Sequence, residues 1–347
     1  MKDILLKDFK EISNSNIPFD DFKNASFFIT GATGLVGSLL VKSLLFCNKE
    51  KNLNIKINAL VRNIEKANML FSEYLDDSAL SFVVADLEKD DLSFDGPCDY
   101  IVHAAAITTS KTMVSNPVET IMTAVYGTDK VLSLARDKKT KNVIYISSME
   151  VYGQPNTEGR TKEDNLGYVD ITKVRSCYPE GKRICECLCT AYASQYDMDI
   201  CVARLAQTFG AGTLPGENRV FAQFARSAME GKDIVLHTTG ESEGNYVYTA
   251  DAIKALLLLL LKGERAKSYN VVNESTHTSI KAMAEMVAQR IAGGKIKAVI
   301  DIPEDAAKLG YAPPVKMVLS GERLRSLGWN PTVDLPEAYE RLIEWLK

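Results

Sequence analysis

Tyr178 and Lys182 stand four residues apart in Tyr178-Pro179-Glu180-Gly181-Lys182, and on a helix that spacing puts phenol and ammonium on one face. A cation a few ångströms away lowers a phenol's pKa, ordinarily about 10, by roughly 1–3 units. Such a phenol can take a proton from a hydroxyl group. About thirty residues upstream, a strand-like run ends in Ser147-Ser148-Met149-Glu150-Val151-Tyr152-Gly153, and the two segments together read as a proton-transfer site. Glu150 is either a substrate-facing acid or a strand-end carboxylate. Cys177 adjoins the tyrosine and reads as a buried, inert thiol.

These side chains need a scaffold. Apolar runs occur at Ser26 to Thr30, Ile55 to Val61, Ser81 to Ala85, Tyr100 to Ala104, Val143 to Ser147 and Ile200 to Leu205. Between most of them lie stretches of helical spacing, such as Pro117 to Ala135 and Glu180 to Tyr196. Continuous apolar strands alternating with helices predict an α/β fold, a doubly wound parallel sheet covered on both faces. After Leu205 the rhythm changes. A Gly- and Pro-containing loop spans Gly210 to Arg219, a helix is expected over Val220 to Glu230 and a strand over Asp233 to His237. Ala250 to Leu261 and Ser268 to Val272 then return to the first lobe.

Gly31, Gly34 and Gly37 fall where the first strand turns into the first helix, in Gly31-Ala32-Thr33-Gly34-Leu35-Val36-Gly37. A tight turn and close approach to a pyrophosphate both exclude side chains, and a helix N-terminus offers N–H groups to phosphate oxygens. This Rossmann-type context supports a dinucleotide site. At the end of the second strand stands Val61-Arg62-Asn63, where an NAD site usually carries an acid. Arg62 is either a ligand for the 2′-phosphate of NADP or a surface cation near adenine. Asp86 is placed to meet the adenine amino group, and Ala104, Ala105 and Ala106 let backbone approach the cofactor. His103 reads as structural.

The expected organisation is a leader helix and loop over 1–25, a dinucleotide-binding domain over 26–205 plus 245–275, and an interleaved, smaller substrate-binding lobe over 206–244 plus 276–347. The 347 residues carry a net charge of -4 with both signs interspersed, which argues against nucleic acid as a partner. Seven cysteines at irregular spacing suggest neither a disulfide framework nor a metal site, and a reduced, cytoplasmic protein is expected. The charged segment Met1 to Glu11 does not read as a signal peptide. The apolar run Leu256 to Leu261 is too short to span a bilayer, for which about 20 residues are needed, and reads as a buried helix.

From about Phe27 to the C-terminus the chain resembles the extended short-chain dehydrogenase/reductase superfamily, in its NAD-dependent epimerase/dehydratase branch. The resemblance rests on the glycine turn, Asp86-Leu87, His103-Ala104-Ala105-Ala106, Ser147 to Gly153, Tyr178-x-x-x-Lys182, Arg204 to Gly210 and Leu327-Gly328-Trp329-Asn330-Pro331. Arg175-Ser176-Cys177-Tyr178-Pro179-Glu180-Gly181-Lys182-Arg183 is most similar to UDP-glucuronate decarboxylases, and Glu150 and Asn218-Arg219-Val220-Phe221 fall where that branch has related residues. The resemblance implies a nucleotide-sugar substrate and a homodimer. It further implies that Ser148 bonds the reacting hydroxyl, Tyr178 is the base, and Lys182 binds nicotinamide ribose while lowering the tyrosine's pKa. Hydride then leaves C4 of the sugar, giving a 4-keto intermediate. Thr33, Leu35, Val36 and Leu87 would line the cofactor.

Four departures bear on the second half of such a reaction. Met149-Glu150 replaces the Asp-Glu pair of 4,6-dehydratases. Gln207 stands for an asparagine, Ala124 for a helix asparagine, and Gly244 for an arginine that contacts diphosphate. Arg219 remains a candidate phosphate ligand. His237 either packs on the base or is a plain strand residue. With no evident cation replacing the arginine, epimerisation is favoured over decarboxylation. Net reduction of a carbonyl compound with NADPH is the alternative, and a dinucleotide sensor without turnover is the rival of another class.

Overall fold

Residues 2–214, 216–303 and 315–347 are described by the computed structural model. The six apolar runs form β1 (Ser26–Thr30), β2 (Lys56–Val61), β3 (Leu80–Val84), β4 (Tyr100–His103), β5 (Asn142–Ser148) and β6 (Ile200–Leu205). β7 (Gln207–Phe209), β8 (Ile234–Leu236), β9 (Glu243–Tyr248), β10 (Ser268–Val271), β11 (Asn273–Ser279) and β12 (Ala298–Ile300) follow. The large sheet has seven parallel strands in the order β10-β6-β5-β4-β1-β2-β3. β1, β4 and β6 are buried at every residue, whereas the edge strand β3 leaves Ser81 and Val84 exposed. A strand covered on both faces is mostly apolar, and an edge strand need not be.

The helices are α1 (Asp3–Ser13), α2 (Leu35–Lys51), α3 (Ile64–Leu70), α4 (Ser110–Ser115), α5 (Pro117–Lys138) and α6 (Cys177–Gln195), then α7 (Val220–Glu230), α8 (Thr249–Lys262), α9 (Ile280–Met286), α10 (Glu322–Ser326) and α11 (Leu335–Leu346). Pro117 opens α5, where a missing N–H costs nothing, and Lys139 ends it in the left-handed conformation. Successive strand side chains point to opposite faces. Phe27 and Ile29 therefore join one core with Leu40, Leu44 and Leu256, while Phe28 joins the other with Val131, Tyr145 and Cys185. One layer holds α2 and α8, the other α5 and α6.

The small lobe contains a three-stranded sheet, β11-β9-β7, and a parallel pair, β12-β8. Of the stretch expected to return to the large sheet, α8 and β10 do so, whereas β9 pairs with β7 and β11. α1, the expected leader helix, packs through its apolar face. Ile4, Leu5, Phe9 and Ile12 are buried in the core, and Asp8 meets Arg341 of α11 at 2.6 Å. The tail is anchored by Asp251, which accepts from the Thr332 and Val333 N–H groups at 2.9 and 3.0 Å and pairs with Lys254 at 2.6 Å.

Candidate active site

α6 begins at Cys177, so Tyr178 and Lys182 lie in its first two turns, both buried on the face toward β5. β5 delivers Ser148 at its C-terminal end. A single 3₁₀ turn, Met149–Tyr152, then carries Glu150, whose N–H donates to Ser148 Oγ at 3.2 Å. The Ser148 hydroxyl bears on Tyr178 and draws the phenol's pKa down. The four residues expected to act together are thus brought together.

The direction of the tyrosine shift is the reverse of the expected one. Burial first, and the Glu150 carboxylate second, push Tyr178 up to about 12; Ser148, Arg175 and Arg219 pull against them. Lys182 has another partner. Its Nζ donates to the Ile146 carbonyl at 2.7 Å and sits 4.7 Å from the Tyr145 ring centroid against 5.9 Å from that of Tyr178. Burial holds Lys182 down at about 8.

Arg175, which opens the segment similar to the decarboxylases, faces Tyr178. Its Nη2 reaches both Glu150 oxygens, at 3.2 and 2.9 Å, and its guanidinium lies 5.5 Å from the Tyr178 ring centroid. Nη1 is buried with no hydrogen-bond partner. Burial raises the Glu150 pKa and Arg175 opposes it. Both side chains keep about a third of their surface accessible, 34% and 35%, so the pair reaches solvent and is not sealed in the core. The signal in the sequence was a basic residue three positions before the tyrosine; its acidic partner is far away along the chain.

The glycine turn leaves no room for side chains. A Cβ on Gly31, whose φ is +64°, would lie 2.7 Å from backbone atoms of Ala104 and Ala105; one on Gly37 would lie 2.2 Å from the Gly31 carbonyl oxygen. Gly34 caps α2, and a Cβ there would meet the same oxygen at 3.2 Å. Thr33, Leu35 and Val36 complete the turn and Ala104, Ala105 and Ala106 face it, all half-buried. This cradle fits a dinucleotide, with N–H groups of the first turn of α2 left for phosphate.

The remaining candidates are scattered around this centre. Arg62 is exposed just after β2. The Asp86 carboxylate accepts from the Glu88 N–H at 2.9 Å, and Leu87 is buried where a Cβ on Gly127 would touch it. Gln207 opens β7, close to Ser148, whose register partner is Leu205. Arg219 caps α7, bonds Glu217 at 2.7 Å and bears on Tyr178. His237 follows β8, and its exposed ring bonds the Asp301 carbonyl at 2.9 Å. Around Gly244 the space is open, with no atom within 4 Å of a built Cβ. A cavity of about 1040 Å³ lies elsewhere, between α1, α8 and the C-terminal segment, lined by Lys10, Trp329 and Arg341 among others. It contains none of Ser148, Glu150, Tyr178, Lys182 or the glycine turn, so volume is a poor guide to the candidate site here.

The model of the NAD dependent epimerase/dehydratase family matches residues 27–273. The chain belongs to this family. Its members use NAD, which the cradle accommodates, and the chain is an enzyme of the extended short-chain dehydrogenase/reductase type. UDP-glucuronic acid decarboxylase 6 of Arabidopsis thaliana is 29% identical over 315 residues, covering 90% of this chain and 86% of that one. UDP-glucuronic acid decarboxylase 1 of Xenopus tropicalis is 28% identical over 250 residues, 72% of this chain, which spans only 57% of the relative's length. Among solved structures, an epimerase of Methanothermobacter thermautotrophicus superposes with a TM-score of 0.80 at 20% identity, covering 97% and 96% of the two chains. UDP-glucuronic acid 4-epimerase of Bacillus cereus, in complex with UDP-glucuronic acid and NAD, gives 0.75 at 20% identity over 92% and 98%. These likenesses establish the fold. No helix among the described residues is long and apolar enough to cross a membrane.

Proposed function

We propose that this enzyme oxidises a nucleotide-linked hexuronic acid transiently at C4. The observation that carries the reading is the convergence of Tyr178, Ser148 and the Glu150–Arg175 pair beside the glycine cradle. Ser148 Oγ holds the C4 hydroxyl, and the Tyr178 oxygen takes its proton once the positive charge of bound NAD offsets the burial that pushes the phenol up in the cofactor-free protein. NAD, bound in the cradle, supplies a hydride acceptor for the C4 hydrogen and can give that hydride back. Lys182, tied to the Ile146 carbonyl, fixes the floor of the site and would meet the nicotinamide ribose. The C4 ketone makes a carboxylate on C5 a β-keto acid, which loses carbon dioxide readily; it also acidifies the C5 hydrogen.

Arg175 alters the balance between outcomes. Epimerisation was favoured because no cation stood near the sugar, and a guanidinium beside Tyr178 removes that reason. It supports a substrate with a carboxylate, as do the decarboxylases among the relatives. Gln207 and Arg219 would complete the substrate site, with Arg219 on phosphate. A homodimer through α5 and α6 is supported by their exposed apolar residues Val118, Tyr126 and Ile184. A cytoplasmic location is supported by seven free cysteines, six of them buried.

The test is incubation with NAD and a panel of UDP-glucuronic acid, UDP-glucose and the corresponding dTDP-, GDP- and CDP-sugars, following products by mass. Loss of carbon dioxide from the uronic acid is expected; an isomeric product would make the enzyme an epimerase, and turnover of neutral sugars alone would overturn the acid preference. Tyr178→Phe should lower turnover by roughly 10²–10⁴-fold with NAD binding retained. Unchanged activity in that variant would remove Tyr178 from the mechanism.

A further inference from the structure

His103 is a buried titratable group that the proposed chemistry leaves unused. It closes β4 and is the register partner of Thr30, which closes β1. Thr30 Oγ1 accepts from the Ala104 and Ala105 N–H groups, both at 3.1 Å, and lies 2.7 Å from His103 Nδ1. A hydroxyl has two acceptor sites and one proton. With both acceptor sites taken, the proton goes to Nδ1, which must be bare. The ring hydrogen is then on Nε2, which donates to Thr128 Oγ1 of α5 at 3.2 Å. The tautomer follows from the network, and Thr30, His103 and Thr128 are 0%, 3% and 0% exposed.

The relay ends on the backbone that Gly31 touches. Because a Cβ at Gly31 would stand 2.7 Å from that backbone, the two turns are in contact without slack. Any shift of Ala104 or Ala105 is passed to the glycine turn. Close-packed interiors transmit such displacements. On its other side the imidazole meets Tyr145, 5.6 Å between centroids, over which Lys182 sits. Burial, with Lys182 second, pushes His103 down to about 3, so the ring stays neutral and the relay intact at ordinary pH.

We propose that Thr30, His103 and Thr128 form a positioning relay for NAD, in which a single imidazole tautomer holds the Ala104–Ala106 turn against Gly31 and in line with Lys182. None of the three need touch substrate or carry charge. The proposal is independent of which sugar, if any, the enzyme uses.

Two measurements test it. The first is NAD affinity by calorimetry, with urea midpoints, for Thr30→Val, Thr30→Ser, Thr128→Val and a control, Thr276→Val. Thr276 makes buried hydrogen bonds to Tyr246 and Asn273 in the small lobe, away from the turn. Thr30→Val is expected to weaken NAD by about tenfold, Thr128→Val by about threefold, and Thr30→Ser by less than about twofold, the scale of single buried hydrogen bonds. Thr276→Val should lose stability and keep its NAD affinity. Folded Thr30→Val or Thr128→Val binding NAD as tightly as the parent would overturn the relay, as would an equal weakening in Thr276→Val. The second measurement needs no variant at the relay to fold: nitrogen-15 resonances of His103 should show a neutral ring protonated at Nε2 from pH 5 to 8. A proton on Nδ1, or a titration in that range, would overturn the assignment.

Discussion

At the scale of single residues, Lys182 has the clearest energetic signature. Its ammonium is held down at about 8 from 10.5, chiefly by burial. Between those values the unfolded chain holds a proton that the folded one has lost, so stability rises with pH across about 8 to 10.5. Below that window, charging the buried amine costs the fold up to on the order of 3 kcal/mol. Lys182→Met is therefore expected to raise the urea midpoint of the cofactor-free protein at pH 7 while abolishing turnover. A lower midpoint would mean that the bond to the Ile146 carbonyl outweighs desolvation. The candidate site was legible here because helix spacing puts Tyr178 and Lys182 on one face, and a strand end presents Ser148. The sign of the Tyr178 shift was not legible. It depends on burial and on Glu150, and Arg175 enters only through a contact between residues 25 positions apart.

Among elements, the large sheet was readable because strands covered on both faces are apolar at most positions, and the glycine turn because steric exclusion leaves one residue type. β9 was harder to place. Glu243–Tyr248 has an apolar second half, like a sheet strand, and only its partners β7 and β11 show which sheet it joins. α1 was read as a leader because its anchors are distant: Asp8 bonds Tyr248 and Arg341, and Arg341 also holds Glu11 and Glu337. Burial raises Asp8 from 3.8 to about 6 despite these partners, whereas Arg341 is held firmly charged by three carboxylates. Between about 4 and 6 the folded state keeps a proton the unfolded state has released, so this cluster makes stability fall as pH rises through that range. Asp8→Asn should flatten the dependence, read as a smaller difference between urea midpoints at pH 4.5 and 7. An unchanged difference would place the titration on another group.

For the whole molecule, α5 and α6 together present the proposed contact between copies. Val118, Tyr126 and Ile184 are 66%, 50% and 48% exposed on helices whose other faces pack on the sheet. A charge in the middle of such a face is costly when two copies meet and harmless when they do not. Ile184→Arg is expected to halve the mass seen by light scattering, toward the 38.3 kDa of one chain, with NAD still bound. A mass already at one chain in the parent protein would dismiss the dimer.

The bond between Asp8 and Arg341 also has a meaning in time. α1 leaves the ribosome more than three hundred residues ahead of α11, yet each buries a charge that the other neutralises. During synthesis Phe9 and Ile12 can find α2, but the carboxylate beside them has no guanidinium until the last helix arrives. Large chains fold through partly built states, and here a helix made early is secured only by one made much later.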